Sequence, residues 1–524
     1  MTKNTKSKTV KVSEDYLIEE YDFSNETPEQ TAARFAKDFK FSKNKSIARL
    51  ERYFKFDTLG AIWKKEFIGG LATFLSLIYI LSVNPNILGS ATSITEGAPN
   101  MNSFGIFLAT AIASGVGSIA MGLMANIPVA LSTTMGINAM FTFNLANAGN
   151  LGYEGALIAV MISSIMFFIV SVTPVRKVIM GAIPKQLILA FGIGIGFFIA
   201  VVGLTDMGWL KKDMDAGVPL ASINDLQTFY PIILIGMVTL CIILVLHFNK
   251  IPGAVAIGIV CGFVIAMIFA NTLSKDSSLY EELVGKSSSP LYNTNFRNGT
   301  VKWEYNFSGF TDNFKNTFKA FGNVELWKSP VMYISIFVFL FLDFFDTTGT
   351  MATFNHQLNK RTNQHHELST KALAVDSATT MLGGVLGTSP VGVFVESSAG
   401  IEQGARTGVA AILNGVLFFA AIALFPIFKS IPSCVTSAAC LYIGLMMIGE
   451  MKAIEWKKPE FAFATFFVIV FMMMTYSIAD GIAMGVLIYT FVMLATKRYK
   501  QLPIAIWFLS VIFILYFVAL AFIK

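Results

Sequence analysis

The sequence predicts an all-α polytopic membrane protein with two sets of seven spans and an extra hydrophobic helix at the C-terminus. Of its 524 residues, 54% are hydrophobic and 14% are charged, whereas a soluble domain usually has about 25% charged residues. Apolar blocks of about 20 residues, each long enough to cross about 30 Å of hydrocarbon, recur from residue 66 almost to the C-terminus. Basic residues lie mainly in every second loop, as expected for a chain that crosses the membrane repeatedly.

The apolar blocks fall into two groups, separated by a polar stretch. The first group comprises 66–90, 102–125, 128–148, 152–173, 184–205, 228–248 and 252–271. The second group comprises 330–356, 370–387, 388–404, 405–428, 433–450, 459–477 and 479–496. A further block, 503–523, either crosses outward or lies at the interface. The predicted segments are a cytoplasmic tail 1–57, a first repeat 58–271, an extracytoplasmic insert 272–329, a second repeat 330–496 and a C-terminal helix 497–524.

The loop charges predict the orientation. With the N-terminus inside, twelve Lys and Arg residues fall in short loops on the cytoplasmic side and three in short outer loops. This fits fourteen crossings of a plasma membrane by a multi-pass protein. The net charge of +6 is therefore attributed to topology, and no nucleic-acid partner is expected. The polar N-terminal segment has no pattern typical of a cleaved signal peptide.

Two sets of seven spans must have opposite orientations, because seven is odd, and this is the inverted repeat typical of secondary transporters. The third blocks of the two sets echo each other: IPVALSTTMGIN begins at Ile127 and SPVGVFVESSAGIE at Ser389. Proline removes a backbone donor, and small residues open a helix. Both segments are thus predicted to be broken helices at the membrane midplane, with helix N-termini facing a substrate.

Carboxylates inside apolar blocks are the strongest functional signal. A charged side chain at a helix centre costs about 2.5 to 3.5 kcal/mol on insertion scales, so acids there usually serve substrate or ion paths. Asp343 and Asp346 lie well inside their block, and Glu396 follows the Pro390 break. We expect these three to be functional, whereas Asp376 fits a functional site and a helix-packing seam about equally.

Neutral polar residues extend this pattern. Asp343, Asp346 and Thr347 share one helical face. Asn138, in the broken segment of the first repeat, offers an amide donor and acceptor to a substrate, although an asparagine can also join helices. The four cysteines lie within or beside apolar blocks and are interpreted as packing residues, so no metal site is predicted.

Four motifs resemble one family of membrane proteins. They are GLATFLSLIYILSVNPNIL from Gly70, TTMGINAMFTF from Thr133, FLDFFDTTGT from Phe341 and GTSPVGVFVESSAGIEQGARTG from Gly387. Together they resemble the azaguanine-type (AzgA-like) branch of the nucleobase:cation symporter-2 superfamily, whose members are adenine, guanine and hypoxanthine permeases. The resemblance extends from about residue 58 to the C-terminus and excludes the insert.

The resemblance implies a core domain of spans one to four and eight to eleven, and a gate domain of the other spans. It further implies short extended segments in spans three and ten that meet at midplane, and an elevator-like movement of the core against the gate. Asp343 and Glu396 correspond to the base-binding acids of the family, and Asn138 to its third-span asparagine. Thr347 and Ser397, next to acids in the sequence, complete the predicted substrate ligands.

A purine is flat, neutral and rimmed with donors and acceptors, which carboxyl and amide groups can match. Burial disfavours the charged form of a carboxyl group, so Glu396, Asp343 and Asp346 are predicted to carry a coupling proton. One proton moved through 100 mV supplies about 2.3 kcal/mol, or roughly forty-fold accumulation. No cofactor is expected, and the predicted partners are the purine, the bilayer and, as an open question, a second copy in a homodimer.

Other functions remain open from the residues alone. A sulfate-type anion transporter or a uracil or xanthine transporter could share the architecture, although several acids at the centre disfavour an anion. An intramembrane aspartyl protease would need Asp343 or Asp346 paired with Asp376, and its further catalytic motif is missing. The sequence therefore predicts a proton-coupled purine importer and not an enzyme.

Overall fold

The fold is described from a computed structural model that covers the whole chain. It describes residues 27–95, 99–173, 184–212, 219–220, 226–249, 251, 253–273, 283–284, 291, 307–363, 369–475 and 477–522. Most of the predicted insert and the first 26 residues of the tail lie outside these ranges. The described part of the tail forms three helices: α1 (Pro28–Asp38), α2 (Lys45–Tyr53) and α3 (Phe56–Leu59).

The first repeat begins with a span made of two helices and contains one short strand in its third span. Its elements are α4 (Trp63–Leu77), α5 (Ile80–Leu88), α6 (Ser103–Ala120), β1 (Leu131–Thr133), α7 (Met135–Ala139), α8 (Gly152–Val172), α9 (Lys185–Asp206), β2 (Lys211–Lys212), β3 (Pro219–Leu220), α10 (Leu226–Phe248) and α11 (Ala254–Thr272). Wider π-helical turns follow α6 at Met121–Ala125 and α7 at Met140–Ala148.

The insert and the second repeat follow. The insert contributes α12 (Phe307–Ala320) and α13 (Val324–Lys328). The second repeat and the last helix comprise α14 (Pro330–Thr362), α15 (Thr370–Leu386), β4 (Val391–Val393), α16 (Ser397–Glu402), α17 (Gly408–Ala421), α18 (Phe425–Ser430), α19 (Ser433–Ile448), α20 (Pro459–Met474), α21 (Ile478–Ala495) and α22 (Ile504–Phe522). Short 3-10 turns lie at Ile422–Leu424, Gly449–Ala453 and Tyr499–Gln501.

The two broken spans meet through an antiparallel strand pair. A left-handed residue precedes each extended segment, Asn126 (φ 53°) in the first repeat and Gly387 (φ 94°) in the second. Leu131 of β1 pairs with Val393 of β4. These two residues hold equivalent positions when the prolines of the two motifs are aligned, so the register is that of a local two-fold axis. The pairing confirms the predicted extended segments of spans three and ten.

The long helices pack into the two groups that were expected. In the core domain α8 packs on α14 and α15, and α17 packs on α4 and α6. In the gate domain α9 packs on α19 and α20, and α10 packs on α11 and α19. Small residues permit the closest approaches: a Cβ added to Gly444 would lie 2.6 Å from the carbonyl oxygen of Gly196. Such contacts are typical of helix association in membranes.

The described part of the N-terminal tail is docked on the core domain. The Tyr53 hydroxyl donates to the Leu123 carbonyl at the end of the second span, with 2.7 Å between the oxygens. The Arg406 guanidinium, which lies between the tenth and eleventh spans, donates to the carbonyl of Leu59 at 2.9 Å. Residues 28–60 therefore belong structurally to the core domain, and the predicted tail boundary at residue 57 falls inside α3.

The span prediction agrees closely with the helices. In the described part of the chain nine helices have the length and composition of membrane spans, and three more are shorter apolar helices. The two broken spans and α15 occupy the remaining predicted positions. The all-α, seven-plus-seven inverted-repeat fold is confirmed, while the number of crossings and the five segment boundaries stay predictions.

Candidate functional site

The candidate site lies where the two broken spans meet. Thr134 precedes α7 and Glu396 precedes α16, each as the N-cap residue of its short helix. The two residues occupy equivalent positions when Pro128 is aligned with Pro390. The Thr134 hydroxyl oxygen is buried and has no hydrogen-bond partner in the described part of the chain. Two equivalent polar side chains therefore flank the strand pair, one neutral and one acidic.

Asp343 lies on α14 beside this junction and is only 3% exposed. Its Oδ2 atom accepts a hydrogen bond from the Thr380 hydroxyl of α15 at 3.1 Å. Thr380 shares this single hydroxyl proton with the carbonyl oxygen of Val391 at 2.8 Å, which ties α15 to β4. The Oδ1 atom of Asp343 is buried and has no partner among the described residues. One oxygen is thus fixed in place and the other is available to a ligand.

A second acid supports α14 from the neighbouring helix. Asp376 of α15 is completely buried, and its Oδ2 atom accepts from the Thr347 hydroxyl at 2.7 Å. Its other oxygen has no described partner. Thr347 was predicted to bind the substrate. In the structure its hydroxyl donates a hydrogen bond to a carboxyl group of the protein itself. Asp376, whose role the sequence left open, belongs to the same group of acids.

Gly392 keeps the centre of the site open. A Cβ atom added to this residue of β4 would lie 2.7 Å from the Thr134 hydroxyl oxygen. It would also lie 3.7 Å from Oδ1 of Asp343 and 3.8 Å from Oδ2 of Asp346. The bare backbone of Gly392 therefore faces two carboxyl groups from α14 and a hydroxyl from the third span.

Glu396 is held by a tyrosine of the first span. The Tyr79 hydroxyl donates to Oε1 of Glu396 at 2.8 Å, and Tyr79 is 1% exposed. Tyr79 lies at the break between α4 and α5, which points its side chain across the core domain. Glu396 follows Gly392 by four residues, and Gly392 faces both Asp343 and Asp346, so we group the acids of α14 and of the tenth span. We call Asp343, Asp346, Asp376 and Glu396 the carboxylate cluster.

Asn138 lies in a separate set of hydrogen bonds, which we call the amide network. Its Nδ2 atom donates to Oδ1 of Asn84 at 2.7 Å, and its Oδ1 atom accepts from the Ser389 hydroxyl. Asn84 donates in turn to the hydroxyls of Thr110 at 2.7 Å and Thr388 at 2.9 Å. The network joins spans one, two, three and ten in a fully buried position.

Ser397 is bonded to the protein backbone. Its hydroxyl oxygen accepts from the Ala130 N–H at 3.1 Å, next to β1, and the side chain is completely buried. The sequence placed Ser397 among the substrate ligands, and that role stays a prediction. In the structure this side chain fixes the start of α16 against the other broken span.

The carboxylate cluster has no basic partner in the described part of the chain. Ion pairs do occur elsewhere in the described residues, for example between Lys328 and Glu325, Lys458 and Glu455, and Arg498 and Glu460. Across the described ranges no group of three or more His, Cys, Asp or Glu side chains is arranged to hold a metal ion. The cluster can accept hydrogen bonds from N–H groups and can bind or release protons.

Sequence reasoning missed two residues of the site, Tyr79 and Thr134. Tyr79 is part of the quoted motif from Gly70, where a tyrosine interrupts an apolar run. Thr134 would have emerged if the two echoing segments had been aligned residue by residue, since it matches Glu396.

The comparisons with known proteins agree with this architecture. Residues 64–484 match the xanthine/uracil permease model, described as "Permease family". The guanine/hypoxanthine permease PbuG of Bacillus subtilis is 35% identical over 90% of this chain and 100% of its own length. The adenine permease AdeQ of Escherichia coli is 28% identical over 89% of this chain and 95% of its own length.

Solved structures show the same fold at lower identity. The transmembrane domain of the cyanobacterial bicarbonate transporter BicA has a TM-score of 0.54 at 16% identity and covers 81% of this chain and 97% of its own. The murine anion transporter Slc26a9 in an inward-facing state has a TM-score of 0.54 at 9% identity, with 92% and 77% covered. The solved structures show the fold, whereas the family match and the relatives also identify the family. The chain belongs to the xanthine/uracil permease family and, as its motifs predicted, it is a membrane permease and not an enzyme.

Proposed function

We propose that the chain imports a purine nucleobase, hypoxanthine, guanine or adenine, together with a proton. The observation that carries this proposal is the buried, unpaired Oδ1 atom of Asp343, which faces Gly392 between the two broken spans. A carboxylate oxygen in that position suits the N–H edge of a neutral, flat base. The guanine/hypoxanthine and adenine permeases among the relatives support the choice of purines.

In this proposal the substrate lies against Gly392 and is bound by Asp343 and Glu396. Thr134 adds a hydroxyl on the opposite side. Asn138 keeps one amide N–H beyond its bond to Asn84, and this N–H is available to an acceptor of the base. Thr347 and Ser397 act mainly by holding the acids and the strand pair, because their hydroxyl groups are already bonded.

Proton coupling follows from the carboxylate cluster. Four carboxyl groups, two buried and two half-buried, have no basic partner in the described part of the chain and repel one another when ionised. The cluster is therefore more stable when it shares protons. Binding a base at Asp343 and Glu396 changes that repulsion and so links substrate and proton uptake. Glu396 and Asp343 are the proposed proton carriers, and Asp346 interacts with both.

The movement that we propose is an elevator-type step of the core domain against the gate domain in the plasma membrane. The site supports this choice, since its residues come from the core domain alone: Tyr79, Thr134, Asp343, Gly392 and Glu396. The N-terminus is placed in the cytoplasm on the basis of loop charges. A homodimer is compatible with this scheme and is not needed to complete the site.

The proposal is tested by uptake of labelled hypoxanthine into proteoliposomes with an inward proton gradient. Unlabelled guanine and adenine are expected to compete, whereas uracil and sulfate are not. Competition by sulfate alone would instead favour the anion transport suggested by the structural neighbours. Competition by uracil alone would retain the family and change the substrate.

A variant pair separates coupling from binding. Glu396→Gln is expected to reduce accumulation from roughly forty-fold at 100 mV to about onefold, while exchange of internal for external base continues. Glu402→Gln makes the same chemical change at an exposed acid of the same region and should leave accumulation unchanged. Proton-driven accumulation that survives Glu396→Gln would refute the coupling role.

A further inference from the structure

Helix α12 of the insert exposes aromatic residues that a helix on a water-facing surface would normally bury. The residues buried against the protein are small or polar: Gly309, Asn313, Thr317 and Ala320. The exposed residues include three phenylalanines on one side, Phe314 and Phe318 of the helix and Phe321 just after its end, which we call the aromatic stripe. A soluble amphipathic helix buries its aromatic face, so the exposed stripe needs an apolar partner.

Polar contacts attach the buried face of α12 to the core domain. Asn313 accepts from the backbone N–H of Asn102 at 3.3 Å, and Asn102 caps the start of α6. Asn316 donates to the Tyr153 hydroxyl at 3.0 Å, near the start of α8. The orientation of α12 is therefore fixed by specific hydrogen bonds, and the aromatic stripe is held outward.

These contacts place α12 beside the first turns of two predicted spans. They involve the beginnings of α6 and α8, whereas the N-terminal tail is docked at the opposite end of the second span. The first half of α8 is almost fully buried, and Leu326 of α13 packs on Gly155. The second half exposes apolar side chains such as Phe168 (42%) and Ile169 (54%). The insert thus helps α14 and α15 to cover the first half of this span.

The charges on α12 are separated from its aromatic residues. Asp312, Lys315 and Lys319 are exposed and form an adjacent line, the charged stripe. The rings of Phe314 and Phe318 are in contact, with centroids 4.6 Å apart, and the rings of Phe318 and Phe321 are 5.9 Å apart. Lysine side chains beside an aromatic face can extend to lipid phosphates while their methylene groups stay apolar.

We propose that α12 is an interfacial helix whose aromatic stripe is buried in the lipid leaflet on the side of the insert. The charged stripe lies at the headgroups, where the two lysines meet phosphate oxygens. Trp327 and Tyr333 continue the aromatic surface toward α14, as in the aromatic belts of membrane proteins. The partner of this surface is the phospholipid bilayer. The proposal does not depend on which substrate is transported.

Spin labels on single cysteines in lipid vesicles test the proposal. Cys434 and Cys440 are buried (0% and 2% exposed), so Cys241→Ala and Cys261→Ala suffice to give an unreactive background. Labels are then placed by Phe314→Cys and Phe318→Cys, with Asp312→Cys and Lys315→Cys as matched positions on the charged stripe. The vesicles contain phosphatidylethanolamine and phosphatidylglycerol.

The measured quantity is the collision rate with oxygen, which partitions into lipid, relative to that with a water-soluble nickel chelate. The ratio is expected to be several-fold higher at positions 314 and 318 than at 312 and 315. Ratios at 314 and 318 that are as low as those at 312 and 315 would place the stripe in water. Low collision rates with both reagents at 314 and 318 would mean that protein covers the stripe. Either result overturns the proposal.

A tryptophan variant provides a second measurement without cysteine replacement. The added fluorescence of Phe318→Trp is expected to be quenched by lipids brominated in the acyl chains several-fold more than that of Lys319→Trp. Equal quenching of the two variants would contradict an interfacial position. The two substitutions are adjacent on an exposed surface, so both proteins should fold.

Discussion

The broken span of the first repeat, around β1, and the broken span of the second, around β4, follow one backbone path. Each begins after a left-handed residue, passes through a proline and a three-residue strand, and enters a short helix. Their side chains differ in chemistry. The first repeat contributes Thr134 and Asn138, whereas the second contributes Glu396 and, through α14 and α15, three aspartates.

This difference suggests a division of labour between the repeats. The polar side chains that the first repeat contributes near the site are neutral, and those of the amide network are bonded within the protein. The acids of the second repeat keep unpaired oxygens, namely Oδ1 of Asp343 and Oδ1 of Asp376. A pseudo-symmetric backbone can thus hold an asymmetric site. The first repeat supplies mainly neutral side chains that are bonded within the protein, and the second supplies the carboxyl groups.

The largest expected effect comes from removing charge from the second repeat. Asp343→Asn keeps the shape of the side chain and the bond to Thr380 but loses the carboxylate. A hydrogen bond to a charged group contributes about 1.5 to 3 kcal/mol, so the KM for the base should rise roughly 10- to 100-fold. Uptake kinetics in proteoliposomes measure this. The exposed Asp312→Asn is the control, and an unchanged KM in Asp343→Asn would remove it from the site.

A smaller effect on base binding is expected from filling the space in front of Gly392. Gly392→Ala places a methyl group 2.7 Å from the Thr134 hydroxyl oxygen and in front of two carboxyl groups. Overpacking of this kind costs about 1 to 3 kcal/mol, which should appear as weaker base binding. Its partner in the register, Ser132, provides the comparison. Ser132→Ala removes only a bond to Ser114 and should change binding less; the reverse order would contradict the proposed position of the base.

The hydrogen bond from Tyr79 of the first repeat to Glu396 of the second should affect transport less than the Gly392 substitution does. Tyr79→Phe removes the donor to Glu396 without changing packing. The expected loss is about 1 kcal/mol, or roughly a fivefold decrease in the rate of coupled uptake at low substrate concentration. Tyr333→Phe, at an exposed tyrosine, is the matched control. Equal rates in the two variants would show that the hydrogen bond from Tyr79 to Glu396 does not contribute to transport.

Much of this architecture could be predicted from the sequence, because apolar block length, loop charge and proline position act locally. The span limits and the two breaks at Pro128 and Pro390 follow from such rules. The acids Asp343, Asp346 and Glu396 were identifiable for a similar reason, since a carboxylate within an apolar block is costly wherever the fold places it.

The partners of these acids could not be predicted in the same way. Tyr79 meets Glu396 across 317 positions of sequence, and Thr347 meets Asp376 on another helix. Such pairs depend on how helices cross, and a tyrosine or a threonine costs little in an apolar block. Asn138 shows the converse, because its type suggested a ligand while its bonds to Asn84 and Ser389 depend on tertiary contacts.

The smallest expected effect tests whether the hydrogen bonds of the amide network stabilise the fold. Asn84→Ala and Asn138→Ala each break the hydrogen bond that joins their side chains, so their effects on thermal unfolding in detergent should not add. The expected coupling is about 0.6 kcal/mol, the average for such bonds within membranes. As a control, Asn84→Ala combined with Ser510→Ala, whose hydroxyl bonds to Thr490 in the gate domain, should be additive. Additive effects of Asn84→Ala and Asn138→Ala would mean that their contact does not stabilise the fold, and Asn138 would then be better explained as a substrate ligand.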